Sequence, residues 1–376
     1  MKTAANFIRP SSLAAIAQCP GRPTMEAAVV NMMGEPADSP EASMGHRAHG
    51  LVAQAIEDWK CEPDAAHWGI YIAKACNEAA ADGLDAWTVR CIQFCLETAR
   101  DLIAKYEVEP ENVLVEHRLD MADLGMAGGT ADLLLVQPFK RVVGVDWKFT
   151  FIDQGDATEH DQLQAYSTAA AVTFQVSEVI AYLVAPRADK ANRVTSAKFD
   201  ADTLRDNAVW TRAVVARATA ARPELRASYD ACLYCRALIH CPEARKHIMD
   251  AQEALAVLGK PSTPEDLGNL AGAAKLAEKF ADDGKELVKA ELIAGHAATG
   301  WKLGTPRATR SVVDVPAALA ELEAAGIKAL DLAQADALTI KVGNLPDAAE
   351  SVIAARITEK LSSPPLTVDK RGKSAA

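Results

Sequence analysis

The chain has 376 residues, 49% of them hydrophobic and 24% charged, with a formal net charge of −11. That length allows a sizeable core and two domains, and no apolar run approaches the ~18–20 residues that a bilayer-spanning helix needs. The acidic balance excludes a protein that coats polyanions through bulk charge. It leaves open a nucleic-acid enzyme whose carboxylates hold metal while its cations line one groove.

The first stretch, MKTAANFIRPSSLAAIAQCPGR, has only a weak positive start and a Cys-Pro where a secretory leader needs small residues, so a cytoplasmic protein is expected. Residues 11–19 (SSLAAIAQC) open with a capping serine and continue as a short helix. GHRAHGLVAQAIEDW (45–59) is an amphipathic helix with His49, Val52, Ala53 and Ile56 on one side, and a second helical block covers 64–106. ENVLVEHRLDM, GGTADLLLVQP and KRVVGVDWKFT read as three consecutive strands of a meander, separated by Gly, Pro and polar turns. DQLQAYSTAAAV (161–172) predicts a helix, SEVIAYLVAP a fourth strand, and 200–220 another helix. This order predicts an α/β fold with a mixed central sheet flanked by helices.

After Asp250 the composition shifts toward Ala, Lys and Glu. EDLGNLAGAAKLAEKFADDGKELVKAELIAGH predicts a long helix or helical hairpin, and WKLGTPRATRSVVDV a β-hairpin bearing Lys302, Arg307 and Arg310. Linker residues GKPSTPED set the boundary near 250–262, dividing a core of 1–250 from a mostly helical C-terminal domain of 251–376. The three hairpin cations are expected either to contact phosphate or to form a solvated face.

The chemistry gathers on the predicted strands. In VVGVDWKFT, Asp146 and Lys148 are two apart and therefore point the same way. Alone, that pair reads as a salt bridge at a strand end. Asp132, near the start of the preceding strand, comes level with the end of its antiparallel neighbour. Asp132, Asp146 and Lys148 can thus share one sheet edge, with Glu116 in reach. Carboxylates converging on a divalent cation beside a positive group are what metal-dependent phosphodiester hydrolysis requires. By themselves, His49 reads as a core histidine and Gln162 and Tyr166 as an ordinary helix pattern.

The eight cysteines fall into two groups. Cys61, Cys76, Cys91 and Cys95 lie in Ala-rich helical segments and are expected to act as small buried hydrophobes. CLYCRALIHC spaces Cys232, Cys235 and Cys241 as C-x2-C-x5-C, one thiolate short of a four-ligand metal site. Cys19, far upstream, is the candidate fourth ligand, with His240 and His247 as substitutes.

Taken in order, GHRAH, VEHRL, GTAD, VDWK and QLQAY resemble the motifs of the RecB-like branch of the PD-(D/E)XK nucleases. The resemblance covers 11–245 and implies a restriction-endonuclease-like core. It implies His49, Asp132 and Asp146 as ligands of Mg2+ or Mn2+, with the main-chain carbonyl of Trp147 as a further ligand. Lys148 would orient or deprotonate the attacking water, Gln162 and Tyr166 would position the DNA backbone or the lysine, and Glu116 is the acidic strand residue. Cys19 before the core and Cys232, Cys235 and Cys241 after it are similar to the quartet of the iron–sulfur members, which include helicase-nuclease subunits and CRISPR-adaptation exonucleases. That implies a structural four-iron–four-sulfur cluster, with a four-cysteine zinc site or free thiols as alternatives. GWKLGTPRATR and the terminal LTVDKRG further resemble a phage-encoded domain of unknown function attached to such cores.

The resulting expectation is a metal-dependent DNA exonuclease in the host cytoplasm. It would resect ends in phage recombination, working with a single-strand annealing protein or a helicase. The alternative is a non-catalytic DNA-binding module that keeps the fold and the cluster. An RNA-directed nuclease would share the same metal and phosphate chemistry.

Overall fold

The computed structural model describes residues 1–35, 39–150, 154–188, 192–258, 263–298, 301 and 324. Lys302, Arg307 and Arg310, with the hairpin expected to carry them, lie outside the described residues.

Five strands form one mixed sheet in the order β1-β2-β3-β4-β5. They are β1 (Val113–Leu119), β2 (Gly129–Gln137), β3 (Arg141–Trp147), β4 (Val179–Val184) and β5 (Val194–Phe199). β1, β2 and β3 pair antiparallel in sequence as the expected meander, and β4 pairs antiparallel with β5. β3 and β4 are parallel, with Val142 opposite Val179 and Trp147 opposite Val184. Parallel neighbours need a crossover, and α6 (Asp161–Phe174) supplies it. The C-terminal ends of β3 and β4 therefore open at the same sheet margin, where ligands bind in open α/β sheets.

Helices cover both faces. Beneath one lie α3 (Pro40–Cys61), α4 (Trp68–Ala81) and α5 (Ala86–Tyr106), packed on Leu133, Leu135, Val143, Val145 and Val184. On the other side α1 (Leu13–Gln18), α6 and α7 (Ala201–Ala218) pack on Leu134, Val136, Val142, Ala181 and Leu183. Coverage of both faces explains why β2 reads Leu-Leu-Leu-Val without polar alternation. The expected 64–106 block is two helices, because Gly83 takes a left-handed φ of 77° and Asp85 starts a new helix as its N-cap.

A separate run, α2 (Arg22–Met33), α8 (Tyr229–Cys232) and α9 (Pro242–Leu258), brings the chain back past its own beginning. The expected linker at 250–262 thus coincides with the end of α9 and with residues outside the described ones. α10 (Pro264–Ile293) is a single helix rather than a helical hairpin. Met1–Lys285 belong to one compact unit and Glu286–Thr367 to a second, in which only residues 286–298, 301 and 324 are described. Within the first unit, Leu276 is buried against Cys232, Leu238, Cys241 and Ala244. Among the described residues no helix is long and apolar enough to cross a membrane.

Candidate metal centre

A fault in the sheet makes the site. In a regular strand, residues two apart share a face. In β2, Leu133 packs on the α3–α5 layer whereas Ala131 packs with α1, α6 and α7. β1 switches likewise: Val113 and Val115 belong to the α3–α5 side, while His117 sets its ring against Phe174 of α6, centroids 5.9 Å apart. Both switches occur at one level. The register runs from Val115–Leu133 to His117–Ala131 and omits Glu116 and Asp132 between them. Glu116 has a φ of 45°, a conformation that costs a non-glycine residue of order 1–3 kcal/mol. The local twist turns both carboxylates toward α3, where His49 waits.

There the ligand atoms of His49, Glu116 and Asp132 lie within 4.8 Å of one another. His49 Nδ1 is 3.4 Å from Asp132 Oδ1. Asp132 Oδ2 accepts the main-chain N–H of Trp147 at 2.7 Å. Phe149 packs its ring edge-on to the His49 imidazole at 5.2 Å, a contact not anticipated from the sequence although the aromatic directly follows the D-x-K run. Burial lowers the pKa of His49, but the hydrogen bond to Asp132 and the charges of Asp132, Asp146 and Glu116 outweigh it, leaving it raised. Desolvation and the Asp132 charge raise that of Glu116.

Asp146 turns elsewhere. Its carboxylate pairs with Lys148 Nζ at 2.8 Å and accepts the Gln162 amide N–H at 2.9 Å, while Lys148 donates to the Gln162 carbonyl at 2.8 Å. The three side chains close a ring between the end of β3 and the first turn of α6. Asp146 is buried, which raises its pKa despite the lysine; the Asp132 charge acts in the same direction. Trp147 is buried in the α3–α5 layer and meets the site through its main chain. Tyr166, one helical turn beyond Gln162, lies over Gly129 so closely that a Cβ there would come within 2.7 Å of the tyrosine ring. Gly129 is the glycine of GTAD, and this contact is its physical reason. Burial, followed by the Asp146 and Asp132 charges, raises the Tyr166 pKa.

The structure therefore brings every sequence-predicted nuclease residue to one margin of the sheet. The candidate ligand group is His49, Glu116 and Asp132, with Asp146 committed to the lysine and Gln162.

The second cysteine group lies where the chain's start packs beside residues 224–241. Cys19, Cys232 and Cys241 are buried and Cys235 is half-buried. Burial raises the pKa of Cys19 and Cys232, and pushes that of Cys235 up to about 12. Cys19 acts electrostatically on Cys232, and Cys241 on both. Among the described residues, His49, Glu116 and Asp132 form the one group of three or more candidate ligand atoms, all within 4.8 Å of one another. The first cysteine group divides: Cys91 and Cys95 are buried as expected and Cys76 half-buried, but Cys61 ends α3 in solvent, correcting its assignment to the core.

No curated protein matches this sequence. Among solved structures, the crystal structure of SSO0001 is similar over 58% of this chain and 93% of that one, at 15% identity and a TM-score of 0.22. A family model described as a protein of unknown function, DUF2800, matches residues 7–360. The chain belongs to the DUF2800 family.

Proposed function

We propose that this protein is a metal-dependent deoxyribonuclease, an exonuclease with a restriction-endonuclease-like core of the RecB-like type. The observation that carries this reading is the meeting of His49, Glu116 and Asp132 within 4.8 Å, beside the Asp146–Lys148–Gln162 ring. One imidazole and two carboxylates at a half-exposed sheet margin suit a hard divalent cation such as Mg2+ or Mn2+. Such a cation would neutralise phosphate charge and lower the pKa of a coordinated water.

The remaining work belongs to the chain. Asp146 and Gln162 hold the Lys148 ammonium in one place, so that it meets growing charge on the scissile phosphate without reorganising. Asp132 binds on one side and anchors the Trp147 main chain on the other, which fixes the ligand relative to the lysine. Tyr166, wedged on Gly129, sets the pitch of α6 and hence the reach of Gln162.

The cysteine quartet fits a metal centre by its donor type and by its meeting of two distant segments. Within this reading the centre is a four-iron–four-sulfur cluster, with a four-cysteine zinc site as the alternative. Its role would be to tie the chain's start to the end of the core. In a phage setting such an enzyme would resect DNA ends in the host cytoplasm, for an annealing protein or beside a helicase.

The test compares end-labelled linear DNA with closed circular DNA, in Mn2+ and in Mg2+. Metal-dependent loss of the linear substrate alone is expected, abolished by Asp132→Asn and by Lys148→Ala in folded protein. Undiminished activity in both variants overturns the assignment. Tight DNA binding with no hydrolysis in either metal would convert it to the binding-module reading.

A further inference from the structure

The nuclease motifs and the cysteines leave one buried charged pair without a role. Arg22 and Glu26, successive turns of α2, are 8% and 5% exposed. A buried ion pair adds little stability over an apolar pair of the same shape, so the geometry it imposes is the informative part. Arg22 uses all three nitrogens. Nε donates to Glu26 Oε1 at 3.1 Å, Nη1 to the carbonyl of Ala231 at 3.0 Å, and Nη2 to the carbonyl of Tyr234 at 2.7 Å. Those carbonyls belong to the two peptide groups that lead into Cys232 and Cys235. Glu26 Oε1 also accepts the N–H of Arg236 at 3.1 Å, so Cys235 is held on both sides. At its own end, Arg22 donates its main-chain N–H to the carbonyl of Cys19 at 3.0 Å.

Neighbouring contacts have the same orientation. Gly21 donates to the carbonyl of Glu224 at 2.7 Å, and a Cβ at Gly21 would meet Leu225 Cδ2 at 2.6 Å and the Glu224 carbonyl at 3.0 Å, so a side chain there would make Leu225 shift. Ser228 Oγ donates to Gln18 at 3.0 Å and caps α8 by accepting from Ala231, while Arg226 N–H points at Cys19 Sγ from 3.4 Å. The guanidinium also lies near enough to Cys19, Cys232 and Cys235 to favour their thiolate forms.

We propose that Arg22, locked by Glu26, is the positioning residue of the cysteine site: it fixes the peptides leading into Cys232 and Cys235 so that their thiols face Cys19 and Cys241 before any metal arrives. This rests on reading the quartet as a metal site. A fork is required, since a single ammonium cannot reach both carbonyls and the carboxylate with matched geometry.

The experiment uses the full chain, purified anaerobically and reconstituted with ferrous iron and sulfide, with Zn2+ in a parallel arm. Loss of metal to a chelator is timed for wild type, Arg22→Met, Arg22→Lys and Glu26→Gln. Residues that orient ligands typically change metal affinity about 10–100-fold. Arg22→Met is therefore expected to lose metal at least about tenfold faster, with Arg22→Lys and Glu26→Gln in between. Wild-type rates in Arg22→Met overturn the proposal.

Should wild type take up neither metal, the metal-site reading fails by itself, and thiol labelling of the metal-free chain decides the role of Arg22. Several-fold faster labelling of Cys232 and Cys235 in Arg22→Met, with Cys91 and Cys95 still protected in α5, supports positioning; equal rates reject it. If Cys91 and Cys95 also label rapidly, Arg22→Met has unfolded, and Glu26→Gln and Arg22→Lys supply the same comparison.

Discussion

Trp147 donates its main-chain N–H to Asp132 Oδ2 at 2.7 Å, just past the last paired residues of β2 and β3, Leu133 and Val145. The carboxylate takes the place of the carbonyl that a continuing ladder would have supplied, and its other oxygen stays 3.4 Å from His49. One side chain thus satisfies the sheet with one oxygen and turns the other toward His49.

Substitution separates those two duties. Asp132→Asn retains an acceptor for Trp147 but removes the charge, so Mn2+ affinity by calorimetry should fall at least about tenfold while the urea midpoint stays close to wild type. Asp132→Ala strands a buried N–H as well and should lose a further ~1–3 kcal/mol of stability. Equal Mn2+ affinity in wild type and Asp132→Asn would remove Asp132 from the ligand set.

Gly129 is expected to tolerate no side chain. An added Cβ would lie 2.7 Å from the Tyr166 ring and 3.0 Å from Pro10 Cγ, and both neighbours are rigid. Overpacking of this kind costs typically 1–3 kcal/mol. Gly129→Ala should lower the urea midpoint accordingly without changing the slope, and should reduce hydrolysis more than folding, since displacing Tyr166 tilts Gln162 away from Lys148. Unchanged stability in Gly129→Ala would show that α6 yields freely.

The sequence exposed whatever depends on a strong period. The three-strand meander, α6, β4 and α7 follow from alternation, apolar runs and caps, and the order of the acidic residues followed from the meander. β5 escaped notice because it is an edge strand that buries little beyond Ala197 and Phe199, which leaves VTSAKF nearly patternless. α2 was hidden by Pro23 and by the lack of a clear apolar face in RPTMEAAVVNMM, since its buried positions include Arg22 and Glu26. The placing of Glu116 beside His49 and Asp132 goes with a positive φ that no residue type near it announces. Asp146 shows the opposite limit: D-x-K predicted a shared face, but nothing in the motif announces that Gln162 closes a ring on that carboxylate together with Lys148.

The start of α5 should titrate. Asp85 caps it, accepting from Trp87 N–H at 2.9 Å and from Thr88 N–H at 3.0 Å and Oγ at 2.6 Å. Partial burial raises the Asp85 pKa, but the Thr88 and Trp87 bonds outweigh it and hold it below 3.8. A depressed carboxyl pKa contributes stability that is fully present above the unfolded value and lost as pH falls through the folded one. Asp85→Ala should therefore cost about 1 kcal/mol at neutral pH, and the gap to wild type should close progressively below pH 3.8. A gap that does not narrow at all between neutral pH and about pH 2 would assign the cost to packing instead of the cap.

The Asp146–Lys148 pair carries the last expectation. Removing one member of a buried pair costs up to about 3–5 kcal/mol, because it leaves the partner's charge uncompensated. Lys148→Met should fall toward the lower end of that range, since Asp146, its pKa already raised by burial, can accept a proton and hydrogen-bond Gln162 as the neutral acid. Loss of stability should then shrink as pH is lowered, because protonation restores neutrality. Asp146→Asn combined with Lys148→Met should be more stable than Lys148→Met alone, giving a coupling energy of about 1–3 kcal/mol in a double-mutant cycle. Additive losses would mean that each side chain is held by Gln162 independently. In that case the lysine would stay at the sheet margin without Asp146, and Asp146 would be free to join His49, Glu116 and Asp132 around a cation.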